Sequence, residues 1–144
     1  IVEFPRATGK TSSGNYLYAH ETGNDDDGSA MADVFIESSD LDIQDGDYFS
    51  SISRVIPDVK FTGNGGSDQV INFVLKTRNY PAESLTTAAT SSCTSSTNKI
   101  DIRVRARQAA LRIESDDDAS TGDRTGVGFR VGATRMDLQP SGRR

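Results

Sequence analysis

Apolar and polar residues alternate along most of the chain, and this two-residue period predicts β-strands. The alternation is clearest at residues 100–106, where four apolar residues are separated by charged ones. At residues 70–76 the same period places Ile71, Phe73 and Leu75 on one face, which we expect to face the core. Other runs predict six further strands, at 15–20, 32–37, 40–43, 48–61, 127–131 and 135–138.

No segment keeps a 3.6-residue apolar period over three turns, which argues against long helices. Short strands separated by Gly, Asp and Asn turns are typical of antiparallel sheets. The sequence therefore predicts an all-β fold with antiparallel, sandwich-like sheets, long polar loops and little or no helix.

Three irregularities predict how these strands end and pair. Pro57 interrupts the run 48–61, which predicts a sheet edge or a bulge at that point. The glycine-rich turn 63–67 predicts a hairpin between a strand ending at residue 61 and one beginning at residue 70. After Gln108 the inward-facing positions shift by one residue, which predicts a β-bulge inside one long strand over 100–114. A helix over residues 107–111 is the alternative.

The segment Ser84–Asn98 consists almost entirely of Ser, Thr and Ala. Such a composition offers little apolar area to bury, so we expect a long exposed loop. Loops of this length are usually functional or mobile.

Composition and the first residues of the chain indicate how many regions it has and whether it carries a membrane-spanning helix or a signal peptide. The chain has 144 residues, of which 34% are hydrophobic, and we interpret residues 1–144 as one all-β region. It contains no apolar run long enough to span a membrane as a helix. The first residues lack an initiator Met and the basic and apolar parts of a signal peptide, so we expect the chain to be a segment of a longer protein.

Charge is divided unevenly between the two halves of the chain. Residues 1–72 contain 4 Lys/Arg and 13 Asp/Glu, a net charge of −9, whereas residues 73–144 contain 12 and 8, a net charge of +4. Opposite charges predict that the halves meet, either within one fold or head to tail between copies. The total of −5 disfavours a free nucleic-acid-binding module, which needs clustered positive charge.

Side chains suited to catalysis or metal binding are few. His20 is the only histidine and Cys93 the only cysteine, which excludes an internal disulfide and a His-cluster or Cys-based metal site. No Gly-x-Ser-x-Gly motif occurs. The acidic run 40–47 resembles the start of an EF-hand, but its glycine comes one position late and Ser51 stands where a bidentate Glu is needed. We therefore predict no enzymatic activity, no metal and no cofactor.

Arginines are the strongest candidate for a functional surface. Three of them alternate with the core positions of the strand at residue 100, a fourth follows the parity shift, and two end the chain. The candidate subunit-interface or DNA-channel residues are Arg103, Arg105, Arg107, Arg112, Arg143 and Arg144. Pairing with acids such as Asp33, Glu37 or Asp40 on another strand of the same sheet is the favoured role, either within one subunit or between subunits. Contact with DNA phosphates is the alternative, although no aromatic residues interleave the arginines.

Several stretches of the chain, taken in order, form a recognisable pattern. They are His20–Gly23 with Asp25–Gly28, Glu37–Asp47, Ser53–Asp58, Arg105–Ser115, and Gly128–Gly132 with Arg135–Arg144. Together they resemble the C-terminal part of the tail nozzle proteins of short-tailed bacteriophages, also called tail tubular protein B or packaged-DNA stabilisation proteins. The resemblance covers residues 16–144.

The resemblance implies a structural role in a phage tail. Members of this family form a six-fold ring below the portal and adaptor, and they line the channel through which DNA leaves the capsid. Their larger body includes a β-propeller, and this chain is expected to be its C-terminal segment. The expected partners are copies of the chain itself, the adjacent adaptor and tail fibre proteins, and passing DNA without sequence specificity, but no membrane. The expected location is the virion tail, assembled in the bacterial host cytoplasm.

Two other functions remain open at this point. A different virion β-domain, at the tail tip, in fibre attachment or in capsid decoration, shares the same composition and fold class. A secreted carbohydrate-binding or hydrolytic β-sandwich is the third possibility. It predicts a calcium site among the acidic turns and exposed aromatic residues in a groove.

Overall fold

The alternating pattern folds into antiparallel sheets, as the sequence predicts. The computed structural model describes residues 6–19, 22–25, 28–31, 33–43, 45–63, 69–116 and 125–143. Within these residues the chain forms strands and no helix, which confirms the all-β prediction. The strands are β1 Arg6–Thr11, β2 Gly14–Ala19, β3 Phe35–Glu37, β4 Leu41–Asp42, β5 Ser50–Ile56, β6 Val59–Phe61, β7 Ile71–Arg78, β8 Thr86–Cys93, β9 Ile100–Ala106, β10 Gln108–Ser115, β11 Phe129–Val131 and β12 Arg135–Pro140.

Two larger sheets form the body of the fold. The five-stranded sheet has the order β3-β10-β7-β8, and β4 also pairs with β10. The three-stranded sheet has the order β12-β5-β9. Two ribbons complete the described strands: β1 pairs with β2, and β6 pairs with β11.

The core lies between the two larger sheets. Its buried residues come from both layers, namely Ile52, Val55 and Ile100 from the three-stranded sheet and Ile71, Phe73, Leu75, Ala109 and Ile113 from the five-stranded sheet. The predicted core face of β7 is therefore confirmed. Val74, on the opposite face of β7, is buried as well. The ribbon of β6 and β11 closes one end, where Phe61 and Phe129 pack against the core.

The predicted bulge inside one strand over 100–114 is a sharp bend between two strands. β9 ends at Ala106 and β10 begins at Gln108, and the two strands belong to different sheets. The change of inward parity at residue 108 therefore marks the point where the chain crosses from one layer to the other. A bend of this kind is a known way for a strand to change sheets. The alternative helix at residues 107–111 is absent, since these residues form the bend and the start of β10.

The strand predicted over 48–61 is also divided. Pro57 and Asp58 separate β5 from β6, and these two strands lie in different sheets. The predicted hairpin across residues 61–70 is wrong, because β6 pairs with β11, whereas β7 pairs with β8 and β10. The part of its turn at 64–68 lies outside the described residues. Closeness in the sequence favours pairing of these two strands, but β7 pairs on both sides within the larger sheet, with β10 and β8.

The predicted loop Ser84–Asn98 is wrong in its backbone, because most of it forms the edge strand β8, whereas the expected exposure of its side chains is confirmed for most of them. β8 pairs with β7 over residues 86–93, with a register shift near Lys76. Its side chains alternate: Ala89, Ser91 and Cys93 are covered, whereas Thr90 and Ser92 are exposed. An edge strand needs only one covered face, and threonine favours extended backbone. Hydrogen bonds to β7 therefore hold this segment as a strand, although its composition alone does not predict one.

Cys93 provides a test of this correction. The side chain is buried in the core cluster, and burial raises the pKa of its thiol. Because the thiolate is the reactive form, we expect Cys93 to react with a disulfide reagent only when the protein unfolds in urea. The control is the double variant Cys93→Ala/Ser95→Cys, which moves the thiol to an exposed turn and should react at once. Equal rates for the two folded proteins would contradict the burial of Cys93 in β8.

Candidate functional site

The predicted row of arginines divides between the two sheets. Arg103 and Arg105 lie on β9 with exposed side chains, and Arg107 lies at the bend. Arg112 lies on β10 in the other sheet, and Arg143 follows β12. Arg144 is outside the described residues. The arrangement thus comprises two sites, one at the bend and one on the outer face of the five-stranded sheet.

The first site, the arginine corner, consists of Phe49, Arg105, Arg107, Ser141 and Arg143. Arg105 donates from Nε to Ser141 Oγ at 3.0 Å and from Nη2 to the Ser141 carbonyl at 2.9 Å. Arg107 donates from Nη2 to the Arg143 carbonyl at 3.2 Å. The two side chains therefore attach the segment after β12 to the bend between the two sheets.

Arg107 also holds a tight turn that precedes β5. Asp45 and Gly46 both have left-handed backbone, with φ of 54° and 78°. This is the tight turn that the Asp-Gly pair predicts. It presents the carbonyls of Gly46 and Asp47 to Arg107 Nη1, at 2.9 and 2.8 Å. One guanidinium thereby binds three backbone carbonyls from two distant segments.

Phe49 is the apolar centre of the arginine corner. Its ring centroid lies 4.0 Å from Arg105 Cζ and 4.7 Å from Arg107 Cζ, distances suited to cation–π contact. Its backbone pairs with the C-terminal segment, because Phe49 N donates to the Gly142 carbonyl at 2.8 Å and Ser141 N donates to the Phe49 carbonyl at 2.6 Å. Phe49 was not among the sequence candidates. Its position beside the Asp45-Gly46 turn was the only available signal.

The second site is a charged network on the outer face of the five-stranded sheet. Lys76 Nζ lies 2.6 Å from Glu37 Oε2, and Arg112 Nη1 lies 3.6 Å from the same oxygen. Arg112 also pairs with Glu114 and lies over the Phe35 ring at 3.6 Å from its centroid. The hydrogen bond from Lys76, aided by the charges of Lys76 and Arg112, holds the pKa of the Glu37 carboxyl below its ordinary value, against a partial opposing effect of burial.

Within one subunit, the predicted pairing of arginines with Asp33, Glu37 and Asp40 occurs between Arg112 and Glu37, and pairing between subunits stays a prediction. Arg103 and Arg105 lie on β9, in a different sheet from β3, and Arg107 lies at the bend, where it binds backbone carbonyls. Asp40 instead pairs with Arg78, which also donates from Nε to Gln108 Oε1 at 2.9 Å. Lys76 and Arg78 follow a run of core residues on β7, and no feature of the sequence singles them out.

Ion pairs nevertheless join the two oppositely charged halves of the chain. Lys76 with Glu37, Arg78 with Asp40, and Arg112 with Glu37 each connect a basic residue of the second half to an acid of the first. A further ion pair, at 2.5 Å, joins Arg54 of the first half to Asp137 of the second, so here the base comes from the acidic half. The opposite charges of the two halves are thus partly neutralised by ion pairs within one subunit.

Within the described ranges, no group of three or more His, Cys, Asp or Glu side chains is placed to hold a metal ion. Over the same residues, no helix has the length and apolar character needed to cross a membrane.

No family model matches the chain, and no curated protein matches it.

The arginine corner makes a prediction about stability. Arg107→Ala removes the donor to three carbonyls and should cost about 1–3 kcal/mol of unfolding free energy, the usual range for hydrogen bonds to a charged group. Arg107→Lys should recover little of this loss, because an ammonium lacks the planar fork that reaches separate acceptors. Urea unfolding measures both. Arg103→Ala, an exposed arginine of the adjoining strand, is the control and should change stability by less than about 0.5 kcal/mol.

The Glu37 network predicts a pH dependence. A carboxyl whose pKa is lower in the folded state contributes stability above its unfolded pKa of about 4.3, and this contribution is lost as the pH falls through the folded-state value. Glu37→Gln should therefore destabilise the protein at about pH 7 and lose that effect towards about pH 3. Asp101→Asn, at an exposed pair with Lys99, is the matched control and should show little effect at either pH. A pH-independent effect of Glu37→Gln would contradict this account.

Proposed function

We propose that the chain is a structural segment of a bacteriophage tail nozzle, which assembles with copies of itself into a ring that retains and conducts the genome. Its partners are the adjacent tail adaptor and tail fibre proteins, and DNA passes through the ring without sequence-specific contacts. The protein acts in the virion tail, after assembly in the host cytoplasm, and carries out no catalysis.

The observation that carries this proposal is the convergence of the resembling stretches in space. Arg105–Ser115 supplies the guanidinium groups of the arginine corner, and Glu37–Asp47 supplies the carbonyls of Gly46 and Asp47. The C-terminal stretch supplies the oxygens of Ser141 and Arg143. Segments that are far apart in the sequence therefore form one structural unit, which gives a physical reason for their occurrence together.

The arginine corner also suits a mechanical role. A ring under the pressure of packaged DNA must transmit force between its layers without local unfolding. Here the bend joins the two sheets, and the same bend holds the segment after β12 through several charge-assisted hydrogen bonds. A net charge of −5 keeps phosphates from adhering while DNA slides past.

Molar mass and particle symmetry test the proposal. The protein, expressed at the full length that its gene encodes, should give a ring of six copies with a central channel, seen by light scattering and by particle images of the same fraction. Arg105→Glu should weaken the ring by detaching the segment after β12 from the bend, because a carboxylate repels the Ser141 carbonyl and loses the contact with Phe49. Arg103→Glu is the control on the same strand and should leave the ring intact.

The other outcomes separate the competing functions. A trimer would replace the nozzle with a fibre or attachment role. A monomer whose resistance to heat rises with added calcium would favour the secreted carbohydrate-binding β-sandwich. A ring that Arg105→Glu does not weaken would refute the role of the arginine corner in assembly.

A further inference from the structure

Large exposed apolar side chains are concentrated in two segments of the described chain. The hairpin formed by β1 and β2, residues 6–19, exposes Tyr16 and Leu17. The edge segment, residues 31 and 33–36, exposes Met31, Val34, Phe35 and Ile36. Both Leu17, 61% exposed, and Ile36, 60% exposed, are open to solvent, so the two segments do not cover each other within one molecule. Clusters of this kind on a surface mark sites of association.

The hairpin has no support from the rest of the described fold. β1 and β2 pair with each other over six residues each and hydrogen-bond to no other described strand. Tyr18 lies over Gly9, and its ring is 6.1 Å from that of Tyr16. An isolated two-stranded hairpin is marginally stable in water. A third strand or a covering surface is needed to hold it.

The edge segment offers such a surface. β3 pairs with β10 on one side, and no described strand pairs with its other side. The pairing continues beyond the strand, with Ser115 N donating to the Val34 carbonyl at 2.8 Å and Ser38 N donating to the Leu111 carbonyl at 2.9 Å. The backbone of residues 34–38 is therefore held along β10, and its outer side faces no described strand, so that a further strand can add to it.

The two segments carry opposite charge. Residues 6–19 contain Arg6 and Lys10 and no acid. Residues 21–47, which include the edge segment, contain ten Asp/Glu and no Lys or Arg. Charge complementarity thus favours the hairpin as the occupant of this edge, and it disfavours another copy of the edge itself.

The side-chain alternation of the two segments matches as well. On the hairpin, Tyr16 and Tyr18 lie on one face, and Leu17 lies on the other face with Arg6 and Lys10. On β3, Ile36 is on the face of Ile113, and Phe35 and Glu37 are on the opposite face. Pairing β2 with β3 sets Tyr16 beside Ile36, while the basic residues of β1 lie on the same face as Glu37, one strand further out. Aromatic–aliphatic neighbours of this kind stabilise adjacent strands.

We propose that the β1–β2 hairpin of one copy adds to the free edge of β3 of a second copy, which places Leu17 beside Phe35 and Tyr16 beside Ile36. The contact joins two different surfaces, so it is head to tail and leaves one hairpin and one edge free in every pair. Its biological role rests on the proposed function, since it provides the contact between neighbours in the ring. The contact itself is testable in the chain alone.

The test uses one variant for each surface and a mixture of the two. By light scattering over a concentration series, the unmodified chain should show a molar mass that rises above that of the monomer. Leu17→Asp on the hairpin and Ile36→Asp on the edge should each weaken this association at least about tenfold, and both side chains are exposed enough to leave the fold intact. An equimolar mixture of the two variants should form a heterodimer and nothing larger. The Ile36→Asp variant supplies the only unmodified hairpin, and the Leu17→Asp variant supplies the only unmodified edge.

Tyr80→Asp is the matched control, since Tyr80 is 62% exposed and lies outside both segments. It should associate like the unmodified chain. The circular dichroism spectrum checks that every variant is folded. A monomeric unmodified chain, or variants that associate as strongly as the unmodified chain, would overturn the interface.

The mixing experiment and the ring experiment can fail separately. Heterodimers from the mixture together with open filaments of the unmodified protein would support the interface and refute the nozzle. A six-membered ring that is unaffected by Leu17→Asp and Ile36→Asp would refute the interface and leave the nozzle in place.

Discussion

The bend at Arg107 is the constraint on which the rest of the structure depends. It carries the chain from β9 in the three-stranded sheet to β10 in the five-stranded sheet within a single residue. The buried residues beside it are small, namely Ala106, Ala109 and Ala110, so the two layers can approach closely at this point. Every other core strand pairs with β9 or β10 directly or through one neighbour, and the bend therefore sets how both sheets face each other.

An arginine at this bend satisfies needs that no other residue meets as well. The turn at Asp45-Gly46 and the segment after β12 present backbone carbonyls from different directions. A guanidinium has five donors in a planar fork, whereas an ammonium concentrates its donors at one point. The Phe49 ring also contacts the guanidinium groups of Arg105 and Arg107. Its attraction for cations partly offsets the repulsion between these two positive charges.

Alternation of side chains was sufficient to predict the fold class and the core face of β7, because burial of Ile71, Phe73 and Leu75 is a local consequence of strand period. Pairing was not predictable in the same way, since it depends on which apolar faces meet. The division of β9 from β10 and the order of β8 beside β7 are properties of the assembled core. The same limit applies to the site: the sequence singled out Arg105 and Arg107, but their acceptors are backbone carbonyls, which leave no signature in residue type.

The acidity of the edge segment determines how it can associate. The edge strand β3, with exposed Phe35 and Ile36, can pair with the same edge of a second copy. Such pairing would close a symmetric dimer, and no further copies could be added. The segment 21–47 contains ten acidic residues and no basic ones, so two copies of it repel each other. The hairpin of residues 6–19 is not repelled by this acidic segment, because its only charged residues are basic. The same acids that disfavour the symmetric dimer therefore direct the exposed edge towards a head-to-tail contact, the geometry from which rings are built.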